Sequence, residues 1–219
     1  SLRRLNIEAI DLYYVHRRDT RAEIEEVSET LAGFVKAGKV KAFGFSEIAP
    51  SSLRRAHSVH PVAAVQSEYS LSTRGPELGM IQACKDIGAT FVAFSPVGRS
   101  LLTDRPHNRA TTESMDFLVN NPRFMEPNLS ENLKFNAKFR SLAADLSISA
   151  AGLAIAWVLH QGDHIAAIPG TRHIAHLQEL TQGADFTITD EIATRINDVL
   201  PVGWAHGDRY SAQQWVGPE

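Results

Sequence analysis

Ile10-Asp11-Leu12-Tyr13-Tyr14-Val15-His16 is an apolar, aromatic-rich run of strand length that ends on a histidine. It predicts a buried strand with one polar side chain at its carboxyl end. Side chains alternate along a strand, so Leu12, Tyr14 and His16 share one face and Asp11, Tyr13 and Val15 the other. In a sheet of parallel strands the carboxyl edge is where ligands meet protein. His16 is therefore either a histidine capping its strand by hydrogen bonds or a ring placed to do chemistry.

Outward from this run, strand and helix alternate. Ile24, Val27, Leu31, Phe34 and Val35 recur at spacings of three and four, which predicts an amphipathic helix over 23–36, ended by Gly38. A second strand follows over 40–46, a short helix from Pro50 to about 57, a third strand over 63–67, a helix over 77–87 stopped by Gly88, and a fourth strand over 90–95 halted by Pro96. Residues 97–129 carry Gly98, Pro106, Pro122 and Pro127 without clear periodicity; a connection this long is usually functional or mobile, and we expect an active-site loop that forms a flap over a site. Helical patterning resumes over 131–146 and 150–160, a fifth strand covers 165–168, and helices over 174–182 and 192–200 precede a tail, 201–219, rich in Gly, Trp and Tyr. Buried strands separated by helices imply an α/β fold with a parallel sheet and right-handed crossovers, either open and doubly wound or part of an eight-stranded barrel. No repeat and no linker divides residues 1–219, so a single domain is expected.

Composition narrows the function classes. A formal net charge of −3, from 22 Lys+Arg against 25 Asp+Glu, gives no reason to expect a nucleic-acid partner or an anionic membrane surface. No apolar run approaches the ~18 residues of a membrane helix, and the opening Ser1-Leu2-Arg3-Arg4-Leu5 is not a signal peptide. The single cysteine, Cys84, rules out an internal disulfide framework and fits a reducing, cytoplasmic setting. The first residue is not Met, and the chain is expected to begin within a longer protein.

The strands end on polar or special residues: His16, Ser46, Gln66, Ser95 and the Pro169-Gly170-Thr171 turn. Ser46 and Gln66 can hold an amide or carbonyl by hydrogen bonds, and Phe94 offers a flat face for a ring; each also has a purely structural reading, as a cap, a rim amide and a core aromatic. Gly170-Thr171-Arg172 lies where a strand gives way to a helix, so free backbone N–H groups and a helix dipole beside a guanidinium suit a phosphate, with His176 one turn further. The pairs His57/His60 and His173/His176 have superficial metal-ligand spacing, but no set of three or four ligands converges and no metal site is expected. Gly-x-Gly-x-x-Gly, Walker and Gly-x-Ser-x-Gly motifs are lacking.

Taken together, the run from Ile10 to His16, Gly38-Lys39-Val40, Gly44-Phe45-Ser46-Glu47, Val65-Gln66-Ser67-Glu68-Tyr69-Ser70, Phe94-Ser95-Pro96-Val97-Gly98-Arg99 and Ile168-Pro169-Gly170-Thr171-Arg172 closely resemble the aldo-keto reductase family, in its order and spacing over residues 1–200. The resemblance is to the bacterial, fungal and plant members with His-Arg-Arg and Ile-Pro-Gly-Thr motifs. It implies a (β/α)8 TIM barrel that uses NADPH to reduce aldehydes and ketones, of which this chain would supply strands four to eight, and its partners would be a small carbonyl substrate and the missing N-terminal segment of the barrel. By the same resemblance His16 is the catalytic residue that holds the substrate carbonyl. Ser46 and Gln66 hold the nicotinamide carboxamide, Phe94 replaces the usual stacking tyrosine, and Ser95, Pro96, Val97 and Arg99 surround the pyrophosphate. Gly170, Thr171 and Arg172 bind the 2′-phosphate, with His176 and Glu179 toward the adenosine. Leu180 stands where many members have Asn. The family's catalytic Tyr, Lys and Asp would lie upstream of Ser1. A non-catalytic NADP(H)-binding or regulatory module on the same scaffold is the alternative.

Overall fold

The computed structural model describes residues 1–219. Local sequence explains most element boundaries. Helix α1 (Leu2–Leu5) leads into strand β1 (Ile10–Val15), helix α2 (Ile24–Lys36), strand β2 (Val40–Ser46), helix α3 (Pro50–Val59), strand β3 (Ala64–Glu68), helix α4 (Met80–Ile87) and strand β4 (Thr90–Phe94). Helices α5 (Arg109–Glu113), α6 (Asn128–Asp145) and α7 (Ala150–His160) precede strand β5 (Ile165–Ile168), and α8 (Ile174–Asp185) and α9 (Asp190–Val199) close the series. Gly88 ends α4 at φ 70°, its N–H bonded to the Cys84 carbonyl, a conformation glycine enters without steric penalty. Ser149 starts α7 by accepting the Gly152 N–H at 3.0 Å, and Thr189 starts α9 by accepting that of Ile192, each satisfying a donor the helix leaves free.

The strands form one five-stranded sheet in the order β1-β2-β3-β4-β5. Strands β1 and β2 run parallel with Ile10 opposite Val40 and Val15 opposite Phe45, and β2 and β3 with Gly44 opposite Ala64 and Ser46 opposite Gln66. A doubly wound sheet reverses its strand order at a switch point; this order does not reverse.

The chain divides into two compact units. The first comprises Ser1–Ser67, Pro76–Val92 and Val216–Glu219; the second comprises Glu68–Gly75 and Ala93–Trp215. In the first, Ile24, Leu31, Phe43, Phe45, Leu53, Val65 and Phe91 are buried, each worth roughly 1.5–3 kcal/mol of transfer from water. Cys84 is buried among them, and burial pushes its thiol up to about 12. In the second, α7 is apolar on every side and buried from Ala150 to Val158, as expected of a helix with no solvent face. It packs on α8 through glycines: a Cβ at Gly183 would lie 2.2 Å from the Gly152 carbonyl oxygen. No single helix is long and apolar enough to cross a membrane.

Four expectations need correction. Strand β1 is not buried: Leu12 is 38% and Tyr13 37% exposed, because β1 stands first in the strand order and pairs with β2 alone. Strand β5, last in the order, is likewise half open, with Ile165 buried and Ile168 46% exposed. The helix expected over 77–87 breaks at Gly79, φ 143°, into a 3-10 turn, Gly75–Leu78, and α4. Residues 97–129 have structure of their own: α5, capped by the Asn108 side chain, a 3-10 turn Pro122–Phe124 capped by Asn121, and buried Leu101, Leu102, Leu118 and Phe124.

Candidate functional site

In the first unit, two of the residues singled out from sequence stand at the carboxyl ends of β1 and β2, whereas Gln66, expected at the end of its strand, lies in the middle of β3 with Ser67 and Glu68 beyond it. His16 follows β1 and is exposed, Ser46 ends β2 and is buried, and Gln66 lies opposite Ser46 in β3. The Arg17 guanidinium ties two of these ends together: its Nη1 donates to the His16 carbonyl at 2.6 Å and to Ser46 Oγ at 2.9 Å. Ser46 thus accepts from Arg17 and keeps its own hydroxyl proton to donate. Glu47, next in sequence, adopts a left-handed φ of 54° that aims its N–H at the Gln66 carbonyl, 2.9 Å away. The Gln66 side chain hydrogen-bonds the Tyr14 hydroxyl, while burial raises the pKa of that phenol and keeps it protonated. Tyr14 lies against Gly44, where a Cβ would come within 2.8 Å of its ring.

Sequence reasoning missed the segment that packs beside these strand ends. Glu219 accepts the Ala49 N–H at 3.0 Å and pairs with Arg18, its backbone N–H bonds the Glu47 carbonyl at 2.9 Å, and Gly217 lies on the Arg17 stem. Burial works against ionisation of Glu219, but the Ala49 N–H, the Ser52 hydroxyl and Arg18 outweigh it and hold the carboxyl below its usual range. No periodicity in a Gly-Pro-Glu tail signals such a contact.

In the second unit, every candidate from Phe94 to Glu179 lines one cavity of about 860 Å³: Phe94, Ser95, Pro96, Val97, Arg99, Gly170, Thr171, Arg172, His176 and Glu179. Its wall begins at the end of β4 and continues in a turn with left-handed backbone at Ser95 (φ 51°), Gly98 (58°), Arg99 (53°) and Ser100 (77°). The turn is closed by Gly98 N–H to the Ser95 carbonyl at 2.8 Å and Leu102 N–H to the Val97 carbonyl at 3.1 Å. Left-handed non-glycine residues carry strain, and such residues gather where a backbone is shaped for a ligand. Val97 also packs on the buried cluster of Ala151, Ile155 and Leu180 from α7 and α8.

Arg99 lines the cavity, yet its guanidinium turns to the buried Glu68 carboxylate and the Arg209 carbonyl and stacks over Phe117 and Tyr210 at 5.1 and 5.2 Å. What the turn offers a ligand is then chiefly its backbone. The Gly170-Thr171-Arg172 segment also differs from expectation. Helix α8 starts at Ile174 with His173 as its N-cap residue, and Thr171 Oγ1 accepts the His173 N–H at 3.2 Å. The free N–H groups of the helix therefore begin four residues beyond Gly170, and the turn itself is held by threonine.

The 97–129 segment contributes Asp104, Arg105, His107, Met115 and Phe117, which sequence reasoning did not single out. The only signal for them was the length of the connection. Arg105 Nη1 lies 3.5 Å from His176 Nε2, and the His173 and His176 rings meet edge-on with centroids 5.0 Å apart. With Arg172 in the same lining, this part of the cavity gathers two guanidiniums and two imidazoles; burial lowers the His107 pKa and favours its neutral form. Of the two acids in the lining, Asp104 caps α7 by accepting the Ala150 N–H at 2.9 Å, and Glu179 belongs to α8. The cavity thus combines flat apolar walls with concentrated positive charge, which suits a ligand carrying both a ring and an anionic group. No group of His, Cys, Asp and Glu is arranged to hold a metal ion.

Comparison with known proteins bears on what such residues belong to. A Glycine max protein, probable aldo-keto reductase 1, is 38% identical over 212 residues, covering 96% of this chain and 60% of that protein. The aldo-keto reductase yakc [NADP(+)] of Schizosaccharomyces pombe is 36% identical over 96% of this chain and 63% of its own length. Among solved structures, the glycerol dehydrogenase AKR11B4 from Gluconobacter oxydans superposes with a TM-score of 0.79 at 28% identity, over 91% of this chain and 61% of that one. The chain thus spans less than two thirds of the length of each. Residues 1–201, from the exposed strand β1 through both groups of candidate residues to the end of α9, match the profile of the Aldo/keto reductase family, and the chain belongs to that family.

Proposed function

We propose that the chain forms strands four to eight, with their helices, of a single (β/α)8 barrel domain that binds NADPH and, in the intact enzyme, reduces a small aldehyde or ketone. The unreversed strand order and the share of each relative that the chain spans support the architecture. One observation carries the cofactor reading: a single cavity holds the Phe94 face, the left-handed turn at 95–100 and the Arg172 cluster. A pocket of about 860 Å³ falls within the range of ligand sites, and its apolar walls and cations match a nicotinamide dinucleotide with a phosphate ester.

The bound cofactor would supply hydride. The chain's own residues would do the rest. Phe94 presents a ring face for stacking but no hydroxyl, the backbone of 95–100 follows the pyrophosphate, and Arg172 with Thr171 meets the 2′-phosphate. Ser46 and Gln66, opposite each other in β2 and β3, hold a carboxamide. His16 donates to the substrate carbonyl oxygen and so stabilises the charge that develops there; the proton would come from a separate acid, the tyrosine that the family resemblance implies for the intact enzyme.

Replacing Arg172 tests the reading. Arg172→Ala is expected to weaken NADPH about tenfold, the loss of one charge-assisted contact, and NADH little, as read by cofactor fluorescence. Equal losses for both would remove the 2′-phosphate assignment. A complete barrel that binds NADPH but turns over no aldehyde would point instead to a non-catalytic NADP(H)-binding module.

A further inference from the structure

The basic cluster beside Arg172 is unusual in its chemistry: two of its four members are imidazoles. His173, exposed, and His176, half-buried, stack edge-on at 5.0 Å, and Arg105 reaches His176 from the 97–108 segment at 3.5 Å. Arginine keeps its charge at every physiological pH, whereas an imidazole ordinarily changes charge between pH 5 and 8. The other charged or titratable groups lining the same cavity are Arg172 from the preceding turn, Glu179 from α8, His107 and Asp104 from the 97–108 segment, and Arg99, whose guanidinium turns to Glu68; α7 presents only Ala151 to the cavity. Asp104 is engaged with the α7 N-terminus, and burial disfavours a charged His107. Of the remaining side chains, only the imidazoles of His173 and His176 are of a type that changes charge in that interval.

We propose that His173 and His176 set the cofactor preference as a function of pH, so that their protonation strengthens binding of the 2′-phosphorylated dinucleotide over the unphosphorylated one. The proposal rests on the cofactor reading above and adds its regulation. A competing effect runs the other way. A phosphate monoester takes up its second proton near pH 6, so lowering the pH reduces the ligand charge that a permanent cation would feel. The imidazoles gain charge over the same interval and offset that loss.

The decisive quantity is the ratio Kd(NADH)/Kd(NADPH), in which groups facing the shared part of the two cofactors cancel. It is measured by cofactor fluorescence at pH 6 and pH 8 on the unmodified chain and on the double variant His173→Gln/His176→Gln. Relative to the double variant, the unmodified chain should gain roughly threefold to tenfold in this ratio between pH 8 and pH 6, the effect of one or two added charges on a partly solvated phosphate. The ratio of the double variant itself should fall at pH 6. In His173→Lys/His176→Lys the preference should be high at pH 8 and decline at pH 6 with the phosphate alone. A pH dependence identical in the unmodified chain and the Gln variant overturns the proposal while leaving the NADPH reading intact; binding of neither cofactor by the unmodified chain at any pH overturns both.

Discussion

Gly183→Ala adds one methyl group where two helices touch backbone to backbone. The new Cβ would lie 2.2 Å from the Gly152 carbonyl oxygen and 2.9 Å from its Cα and carbonyl carbon. None of these atoms is the tip of a side chain, so no rotamer change relieves the contact. Helix α8 must move about 1 Å from α7 to restore van der Waals distance. Overpacking of this kind costs about 3 kcal/mol at the upper end of its range, while alanine's better helix propensity returns about 1 kcal/mol, leaving a net loss of about 2 kcal/mol. With a urea slope of about 2 kcal/mol/M, the unfolding midpoint falls by about 1 M. Because α8 also carries His176, Glu179 and Leu180, all facing the cavity, NADPH affinity should fall in the folded variant too. Gly33→Ala is the control: it makes the same change inside α2, where nothing lies within 4 Å of the new Cβ, and it should stabilise by up to about 1 kcal/mol. If Gly183→Ala matched Gly33→Ala in urea and left NADPH binding unchanged, the close approach of α7 and α8 would be refuted.

Two further outcomes follow from ion pairs. Glu68 is 1% exposed and pairs with Arg99, with Arg209 at 3.7 Å and the Thr73 hydroxyl at 3.0 Å; Glu68→Gln removes the carboxylate charge these guanidiniums face and should cost about 3 kcal/mol in urea unfolding, and a loss below about 1 kcal/mol would argue against the cluster. Glu219→Gln should cost about 1 kcal/mol at pH 7. Because the folded carboxyl is held below its usual range, the unfolded chain protonates first as pH falls. The stability difference between the unmodified chain and the Glu219→Gln variant should therefore shrink as acid is added, and a difference that grows on acidification would contradict the assigned contact.

Much of this fold was legible because periodicity reports burial. The strands at 40–46 and 165–168 and the helix at 150–160 begin and end where their apolar runs do. The same reasoning failed for β1 and for the exposed half of β5. An apolar run records that a strand is built to be covered, not whether a neighbour stands at its edge, and β1 pairs on one side only. For the site, special residues at strand ends led to Phe94, Ser95 and the 170–172 turn, which do share a cavity. Arg105 and Phe117 escaped because they come from irregular backbone, whose course depends on caps such as Asn108 and Asn121 and on buried Leu101 and Leu118. Arg99 shows a further limit: sequence marks a cation near a ligand but not the buried Glu68 that claims its guanidinium.

The left-handed turn at 95–100 bears on how this surface can drift under mutation. With φ of 51°, 53° and 77°, Ser95, Arg99 and Ser100 sit where L-residues are tolerated and β-branched ones are not. Glycine, asparagine and aspartate are open to these positions, and valine, isoleucine and threonine are closed, whatever their size or polarity. At Gly98 the filter is stricter, since a Cβ would also meet Ser72 Oγ at 2.9 Å. Substitution along this wall is thus screened by backbone shape before chemistry. A cofactor contact made through the main chain can then outlast turnover of the side chains that display it.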